Sequence, residues 1–444
     1  MKKTIRDILI TFSLILLCFS LQSFLTIKEF NSDSVIKNIG YLSSDTFKGR
    51  LPGTFENKQT AEFIKNTFNN NGLTPYNKTY FHNFYCYYPM KISGNPYLKV
   101  INSKNEIIKE YSYGKDFKED MLNFRENKFT FSKDSQVVQA KNVIQIKNGN
   151  NIFIIYSPEN NKLNFRSSFM KDDICNMYIM VTQDVLKDLK RNINIGYKIS
   201  CFIPYTVQKA LIPNVVSCIK GVDSSKPPLI LSAHFDHLGQ DLKGTMYPGA
   251  LDNASGTCFL LELSKYIKSL GTPNRDIIFV AFNAEEFGCI GSKVFAERFY
   301  NKIKDSTVIN FDMIGGNQSV PLCIMGSDKD NANTPLIKDT SYRCSSEHIN
   351  FNYMFEDASD HCSFRSKNIK AITFCDNDIS KIHTPSDRVE FINKNSINRC
   401  YKVVSKQIVD YGFSSNLFLI YYKEFSILSI VSLILILRPK HKAN

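Results

Sequence analysis

Ala233-His234-Phe235-Asp236-His237, Ala250-Leu251-Asp252-Asn253, Asn283-Ala284-Glu285-Glu286 and Asn310-Phe311-Asp312 punctuate residues 231–315, and Ile382-His383-Thr384-Pro385-Ser386-Asp387 arrives later. Each cluster follows a short apolar run that reads as a buried strand. Each therefore emerges at the carboxyl end of a parallel sheet, the edge at which open α/β folds hold their ligands. Outward from this stretch, residues 214–219, 228–232, 276–282, 307–311 and 370–375 read as strands, and 255–270, 292–300 and 396–411 as helices. The first helix starts at the Asp252-Asn253-Ala254-Ser255 turn and stops at Gly271 and Pro273. The alternation predicts an α/β domain over residues 209–415, a mostly parallel, doubly wound sheet flanked by helices.

Upstream, residues 31–84 read as lead-in helices of that domain. The helix over 56–70 puts Ala61, Ile64 and Phe68 on one face and stops at Gly72, while another covers 34–44. Phe47-Lys48-Gly49-Arg50-Leu51-Pro52-Gly53 between them reads as a loop. The texture changes over residues 85–208, where strand-like runs at 142–146, 151–156 and 177–181 are separated by Asn and Lys and no histidine occurs. Thr182 caps a short helix there with Val185, Leu186 and Leu189 on one face. We expect a smaller, mainly β inserted domain without a metal site.

The chain has 444 residues, 43% of them hydrophobic, and a formal net charge of +13. Its Lys and Arg residues are scattered among Asn and Ile rather than gathered into stripes, so no nucleic-acid partner is expected. Lys2, Lys3 and Arg6 precede an uncharged run over 8–27, long enough for a bilayer, making residues 1–30 a signal peptide or membrane anchor. The want of a small-x-small cleavage motif favours the anchor. Residues 416–444 form an apolar tail, uncharged over 425–437 and followed by Arg438, Lys440 and Lys442, which we expect to embed in or lie on the membrane. If both segments span, the basic flanks put both ends in the cytoplasm and the catalytic domain outside; a cleaved leader would give a secreted protein. The twelve cysteines show no CxxC pair, which argues against a cysteine metal site or dense disulfide framework and leaves room for one or two bridges.

Zinc takes imidazole and carboxylate ligands and, in catalytic sites, keeps a position open. His234, Asp252, Glu286, Asp312 and His383 supply two imidazoles and three carboxylates. These suffice for two zinc ions per chain if one carboxylate is shared, and Asp252, on a tight turn above the sheet, is the natural bridge. Asp236 stands two residues from His234, on the same side of an extended backbone, where it can steady the imidazole. Asp387 can do the same for His383. Neighbouring residues at a strand end point apart, so Glu286 can bind metal while Glu285 remains free as general base.

Taken in order and spacing, His234-Phe-Asp236-His237, Leu251-Asp252-Asn253-Ala-Ser-Gly, Asn283-Ala-Glu285-Glu286, Asn310-Phe-Asp312-Met-Ile-Gly and His383-Thr-Pro-Ser-Asp387 resemble the di-zinc metallo-aminopeptidases of peptidase family M28. The resemblance covers about residues 214–411 and extends more loosely to 41–73; the inserted segment stands where many members carry a protease-associated domain, and its last third is similar to one. It implies that His234 and Asp312 hold one zinc, Glu286 and His383 the other, with Asp252 bridging and Glu285 as base. Ser359-Asp360-His361-Cys362-Ser363-Phe364 is similar to a family segment near the substrate pocket, which makes Asp360, His361 and Phe364 candidate substrate contacts, although members often have Pro at the position of Ser363. Some members place a Tyr before the last His as an oxyanion donor; here Ile382 stands there, and the donor is unassigned.

A lone His-x-Asp or Glu-Glu pair is usually structural, and it is their joint occurrence at strand ends that carries the reading. His82, His237 and His348 read as packing or surface residues, His441 as part of the basic tail, and His361 as either a support behind the site or a pocket wall. The expectation is a membrane-associated exopeptidase that removes amino-terminal residues from peptides. A glutaminyl-cyclase-like transferase would need a single zinc, and a carboxypeptidase a basic pocket for the substrate carboxylate. A non-catalytic ectodomain would usually have lost ligands, and none is missing here.

Overall fold

The computed structural model describes residues 2–131 and 135–438. Among them, nine strands form the main sheet, in the order Thr74–Pro75, Tyr205–Ile219, Ile277–Phe282, Leu229–His234, Thr307–Phe311, Lys370–Cys375, Leu322–Gly326 and Phe351–Phe355, with Phe81–Lys91 also paired to Tyr205–Ile219. The four central strands, Ile277–Phe282 to Lys370–Cys375, are mutually parallel. Tyr205–Ile219 joins them antiparallel on one side and Leu322–Gly326 antiparallel on the other. The sheet is thus mixed, and "mostly parallel" holds for its centre, which is the part that carries the site.

Every residue of Leu229–His234 and of Ile277–Phe282 is buried. Because side chains alternate along a strand, Leu229, Leu231, Ala233, Ile277, Phe279 and Ala281 enter one core, with the helices Ser32–Leu42, Phe55–Asn70, Gly256–Ser269 and Lys394–Phe413. Ile230, Ile278, Val280 and Phe282 enter the other, against Ile290–Ile303. Burial on both faces is why these strands are continuous apolar runs. Gly256 lets its helix approach the sheet, since a Cβ there would lie 2.3 Å from the Phe311 carbonyl oxygen. Helix starts are capped as their sequences direct: Thr54 Oγ1 accepts from the Asn57 amide and Thr182 Oγ1 from that of Val185.

Phe81–Lys91 pairs along its whole length with residues 205–215, making a ribbon that starts in the main sheet and runs out of it. Positions 85 and 208, where the composition changes, both lie inside this ribbon. Beyond it stand a five-stranded sheet, Phe117–Phe124, Met177–Val181, Asn151–Tyr156, Val143–Asn148 and Gln136–Ala140, and a four-stranded sheet, Ile107–Tyr111, Tyr97–Ile101, Lys198–Phe202 and Lys128–Phe131. They share one core with the helix Gln183–Asn194.

Lys2–Thr26 and Leu417–Leu437 are helices that pack against each other, with Ser13 Oγ 3.0 Å from Ser432 Oγ and the Phe24 and Tyr422 rings edge to face at 5.0 Å. Thr4–Thr26 and Phe418–Leu437 are long and apolar enough to cross a membrane by length and composition. Lys440, His441 and Lys442 lie outside the described residues. The cysteines are free thiols, most of them buried, so no bridge forms among them.

Candidate metal centre and active site

Parallel strands bring their carboxyl ends to one edge, and the predicted clusters meet there. His234 ends Leu229–His234, Glu285 and Glu286 follow Ile277–Phe282, Asp312 follows Thr307–Phe311, and the loop after Lys370–Cys375 delivers His383. Asp252 stands on the turn before Gly256–Ser269. His234 Nε2 lies 3.5 Å from Asp252 Oδ1 and 3.4 Å from Asp312 Oδ1. His383 Nε2 lies 3.2 Å from Asp252 Oδ2 and 3.2 Å from Glu286 Oε2. Ligands roughly 2.0–2.1 Å from a tetrahedral zinc are roughly 3.3 Å apart, so each imidazole stands from its two carboxylates at the spacing of zinc ligands. Asp252 offers one oxygen to each. His234 Nε2 and Asp312 Oδ1 are buried without a hydrogen-bond partner, a costly state that a cation between them would relieve. The residues present therefore fit the expected metal.

Supporting contacts fix each donor. Arg50, wholly buried, donates to the carbonyls of Leu42, Phe235, Pro248 and Gly249, each at 2.8 Å, and so clamps the chain beside His234 to the chain beside Asp252. The predicted loop at residues 47–53 exists to place this side chain. Asp236 accepts from the backbone amides of Glu285 at 3.1 Å and Glu286 at 3.2 Å, and its Oδ1 is 3.7 Å from His234 Nδ1. It positions both glutamates besides facing the imidazole. Ala284, Met313 and His383 have φ of 59°, 54° and 56°, a left-handed conformation that costs non-glycine residues free energy, and all three border the ligand set.

Three sequence expectations meet a different arrangement here. Asp387 does not brace His383; its carboxylate accepts from the amides of Leu251 at 2.8 Å and Asp252 at 3.0 Å, holding the bridging turn. His237 is neither packing nor surface but part of the site, its Nδ1 2.7 Å from Glu286 Oε1. Its only sequence signal was its place three residues after His234, on chain that turns back over the sheet edge. Asp360, His361 and Phe364, expected as substrate contacts, are wholly buried and none borders the cavity. His361 instead bonds Thr373 Oγ1 at 2.9 Å and the Glu356 carbonyl at 3.1 Å, and Phe364 packs on Phe282 and Phe295. The working residue of that segment is Ser359, which donates to Asp312 Oδ2 at 2.7 Å and which sequence reasoning passed over.

Burial opposes charge on His234, but Glu285, Asp312 and Asp236 outweigh it and raise its pKa well above the ordinary imidazole value. The same contest, with Glu286 and Asp252 as partners, raises His383. The adjacent glutamates divide. Burial, then Asp312, Asp360 and Glu286, push Glu285 well above the carboxylate range against the pull of His234, whereas His383 and His237 overcome burial and hold Glu286 well below it. Burial pushes Asp360 up to about 8. The two neighbouring carboxyls are thus set apart, Glu286 favouring its charged form and Glu285 its neutral one.

A cavity of about 540 Å³ opens beside these residues, walled by Met170, Met313, Met325, Met354, Ile379 and Ile382. Glu356 and Asp357 also border it, and among the described residues no Lys or Arg lines it.

Residues 214–408 match the profile of Peptidase family M28. Aminopeptidase YwaD of Bacillus subtilis is 26% identical over 209 residues, 44% of each chain, so the match spans less than half the length of that relative. A glutamate carboxypeptidase 2 homolog of Caenorhabditis elegans is 34% identical over 132 residues, 28% of this chain and 16% of that one. Among solved structures, the aminopeptidase from Aneurinibacillus sp. strain AM-1 superposes with a TM-score of 0.58 at 19% identity, covering 88% of this chain and 96% of that one. BSAP, a zinc aminopeptidase from Bacillus subtilis, does so with 0.59 at 17% identity over 86% and 96%. These structures share the fold, mixed sheet and flanking helices together, and the likeness to peptidase family M28 is carried by the profile match over residues 214–408, a little under half of the chain.

Proposed function

We propose that this protein is a zinc-dependent aminopeptidase that hydrolyses the amino-terminal residue from peptides. His234, Asp252 and Asp312 would hold one zinc, and Asp252, Glu286 and His383 the second. Bound zinc supplies Lewis-acid polarisation of the scissile carbonyl and lowers the pKa of water within its reach. Glu285, held by Asp236 through its backbone amide, takes the proton of the attacking water and returns it to the leaving amine. The carboxylates at the cavity mouth draw in the free α-amine of the substrate.

The observation that carries this reading is the pair of imidazoles, His234 and His383, each 3.2–3.5 Å from two carboxylates, one of which, Asp252, faces both. It favours two ions over the single zinc of a cyclase. The absence of Lys and Arg from the cavity lining favours an aminopeptidase over a carboxypeptidase, which needs a cation for the substrate carboxylate. The terminal helices, paired with each other, support a membrane-anchored protein with its catalytic domain outside the cell.

The test is hydrolysis of amino-acid anilides by the detergent-solubilised chain, alongside the same compounds with blocked amino termini, before and after chelation. Cleavage restricted to free amines, lost with chelator and restored by zinc, is expected. Glu285→Gln should lower kcat by ~10²–10⁴ while zinc content stays at two per chain. Equal cleavage of blocked substrates, or full activity in Glu285→Gln, would overturn the assignment.

A further inference from the structure

The inserted module contains no histidine. Yet residues 165–170, between its strands Asn151–Tyr156 and Met177–Val181, cross to the main sheet and lie against the donor trios. Ser168 Oγ donates to Glu286 Oε2 at 2.9 Å, the oxygen that also faces His383. The Phe165 ring packs on the His383 imidazole with centroids 5.6 Å apart, and the Arg166 amide donates to the His383 carbonyl at 3.1 Å. Ser168 and Met170 border the cavity.

The strap is as firmly held on its other side. Arg166 and Glu119, both without solvent exposure, are paired at 2.9 Å. The Ser167 amide and hydroxyl both donate to Asp120 at 2.8 Å, and the Met170 amide donates to the Leu122 carbonyl at 2.8 Å. All three anchors are on the strand Phe117–Phe124, so the hydroxyl of Ser168 is presented by a rigid sheet edge.

We propose that the inserted module completes the active site, with Ser168 as a positioning residue for Glu286 and the strap as the wall that fixes His383. A carboxylate with two oxygens can turn about its last bond. His237 holds Oε1 and Ser168 holds Oε2, and together they leave one orientation, with Oε2 turned toward Asp252 and His383. The inference rests on the zinc reading above.

Competitive chelator titration of the full-length protein in detergent tests it. Ser168→Ala should retain zinc ~10–100-fold less tightly, and Ser168→Thr, which keeps the hydroxyl, should restore it. At limiting zinc, the activity of Ser168→Ala should fall in step with its zinc content, because the residue acts through Glu286. Zinc affinity in Ser168→Ala equal to that of the unsubstituted protein overturns the proposal. So does a loss shared by Ser168→Thr, or a fall in the thermal midpoint of the metal-free protein large enough to explain the weaker binding. If the unsubstituted protein holds no zinc or cleaves no free-amine substrate, it is the function above that fails, and the two failures are told apart.

Discussion

Replacing Arg166 with Met removes the guanidinium that neutralises Glu119 inside the inserted module and leaves a carboxylate with no access to water. Neither side chain is solvent-exposed, and Arg166 also reaches Tyr205 Oη at 3.3 Å, whereas Met fills much of the same volume. Breaking such a pair typically costs about 3–5 kcal/mol, since one charge is left buried. Here the cost has a ceiling, because Glu119 can take up a proton instead. At pH 7 that takes about 3.7 kcal/mol, about 1.36 kcal/mol for each of the roughly 2.7 pH units above the pKa of a free glutamate. Burial already pushes Glu119 upward, with Arg166 the largest opposing influence. In the variant, then, the folded pKa rises far above the unfolded value, and the folded state binds one more proton than the unfolded state. Stability then falls as pH rises through this range, at about 1.36 kcal/mol per unit. The destabilisation relative to the unsubstituted chain, in which burial already raises Glu119, should be at most about 3.7 kcal/mol at pH 7 and at most about 1.6 kcal/mol at pH 5.5. Urea unfolding of the detergent-solubilised chain, followed by far-ultraviolet circular dichroism, reads this directly; the chain has no Trp to serve as a probe. With a slope of about 2–3 kcal/mol/M the midpoint should drop by about 1–2 M at pH 7. Adding Glu119→Leu should recover most of the loss by removing the stranded charge. A destabilisation equal at both pH values, or a double variant as weak as the single, would refute the reasoning.

Arg50→Lys should be far from conservative, since one ammonium cannot reach four carbonyls now met by a planar fork; we expect a loss of about 3 kcal/mol or more in thermal or urea unfolding, with zinc held more weakly. Asp188 accepts from Lys109 at 2.6 Å and Tyr111 at 2.7 Å, and although burial opposes its charge, these partners and Arg191 hold its pKa down to about 2. A carboxylate depressed on folding stabilises above its unfolded pKa, so this contribution is present above about pH 4 and lost as pH falls toward 2. Asp188→Asn should therefore cost on the order of 1–2 kcal/mol at pH 7 and almost nothing at pH 2, as read from acid-dependent urea midpoints.

The core strands were legible because burial on both faces leaves them no choice but continuous apolar sequence, as in Ile277–Phe282. Among the candidate ligands, His234, Glu286 and Asp312 stand at or just past the ends of such strands, whereas Asp252 and His383 come from a turn and a longer loop. Leu322–Gly326 and Phe351–Phe355 escaped notice: the first is a short buried run among polar loops, and the second is half-exposed, with neither pattern nor caps to mark it. His237, Asp387 and Ser168 were misread or missed for a different reason. Their roles depend on which distant backbone they meet, His237 through a turn of the chain and Ser168 through the closure of one module on another. No local spacing encodes that. Phe81–Lys91 was likewise hidden, since its side chains alternate between core and solvent and its partner lies far along the chain.

The ribbon of Phe81–Lys91 with Tyr205–Ile219 means that the inserted module leaves and re-enters the host through adjacent positions. To the host sheet, residues 92–204 are merely the tip of a hairpin, and loop length is tolerated far more readily than broken pairing. An ancestor with a plain turn there would lose no host strand and no zinc ligand. What such an ancestor would lack is the strap of residues 165–170, with its contacts to Glu286 and His383. A hairpin tip in one sheet can thus be a wall of the proposed site in another.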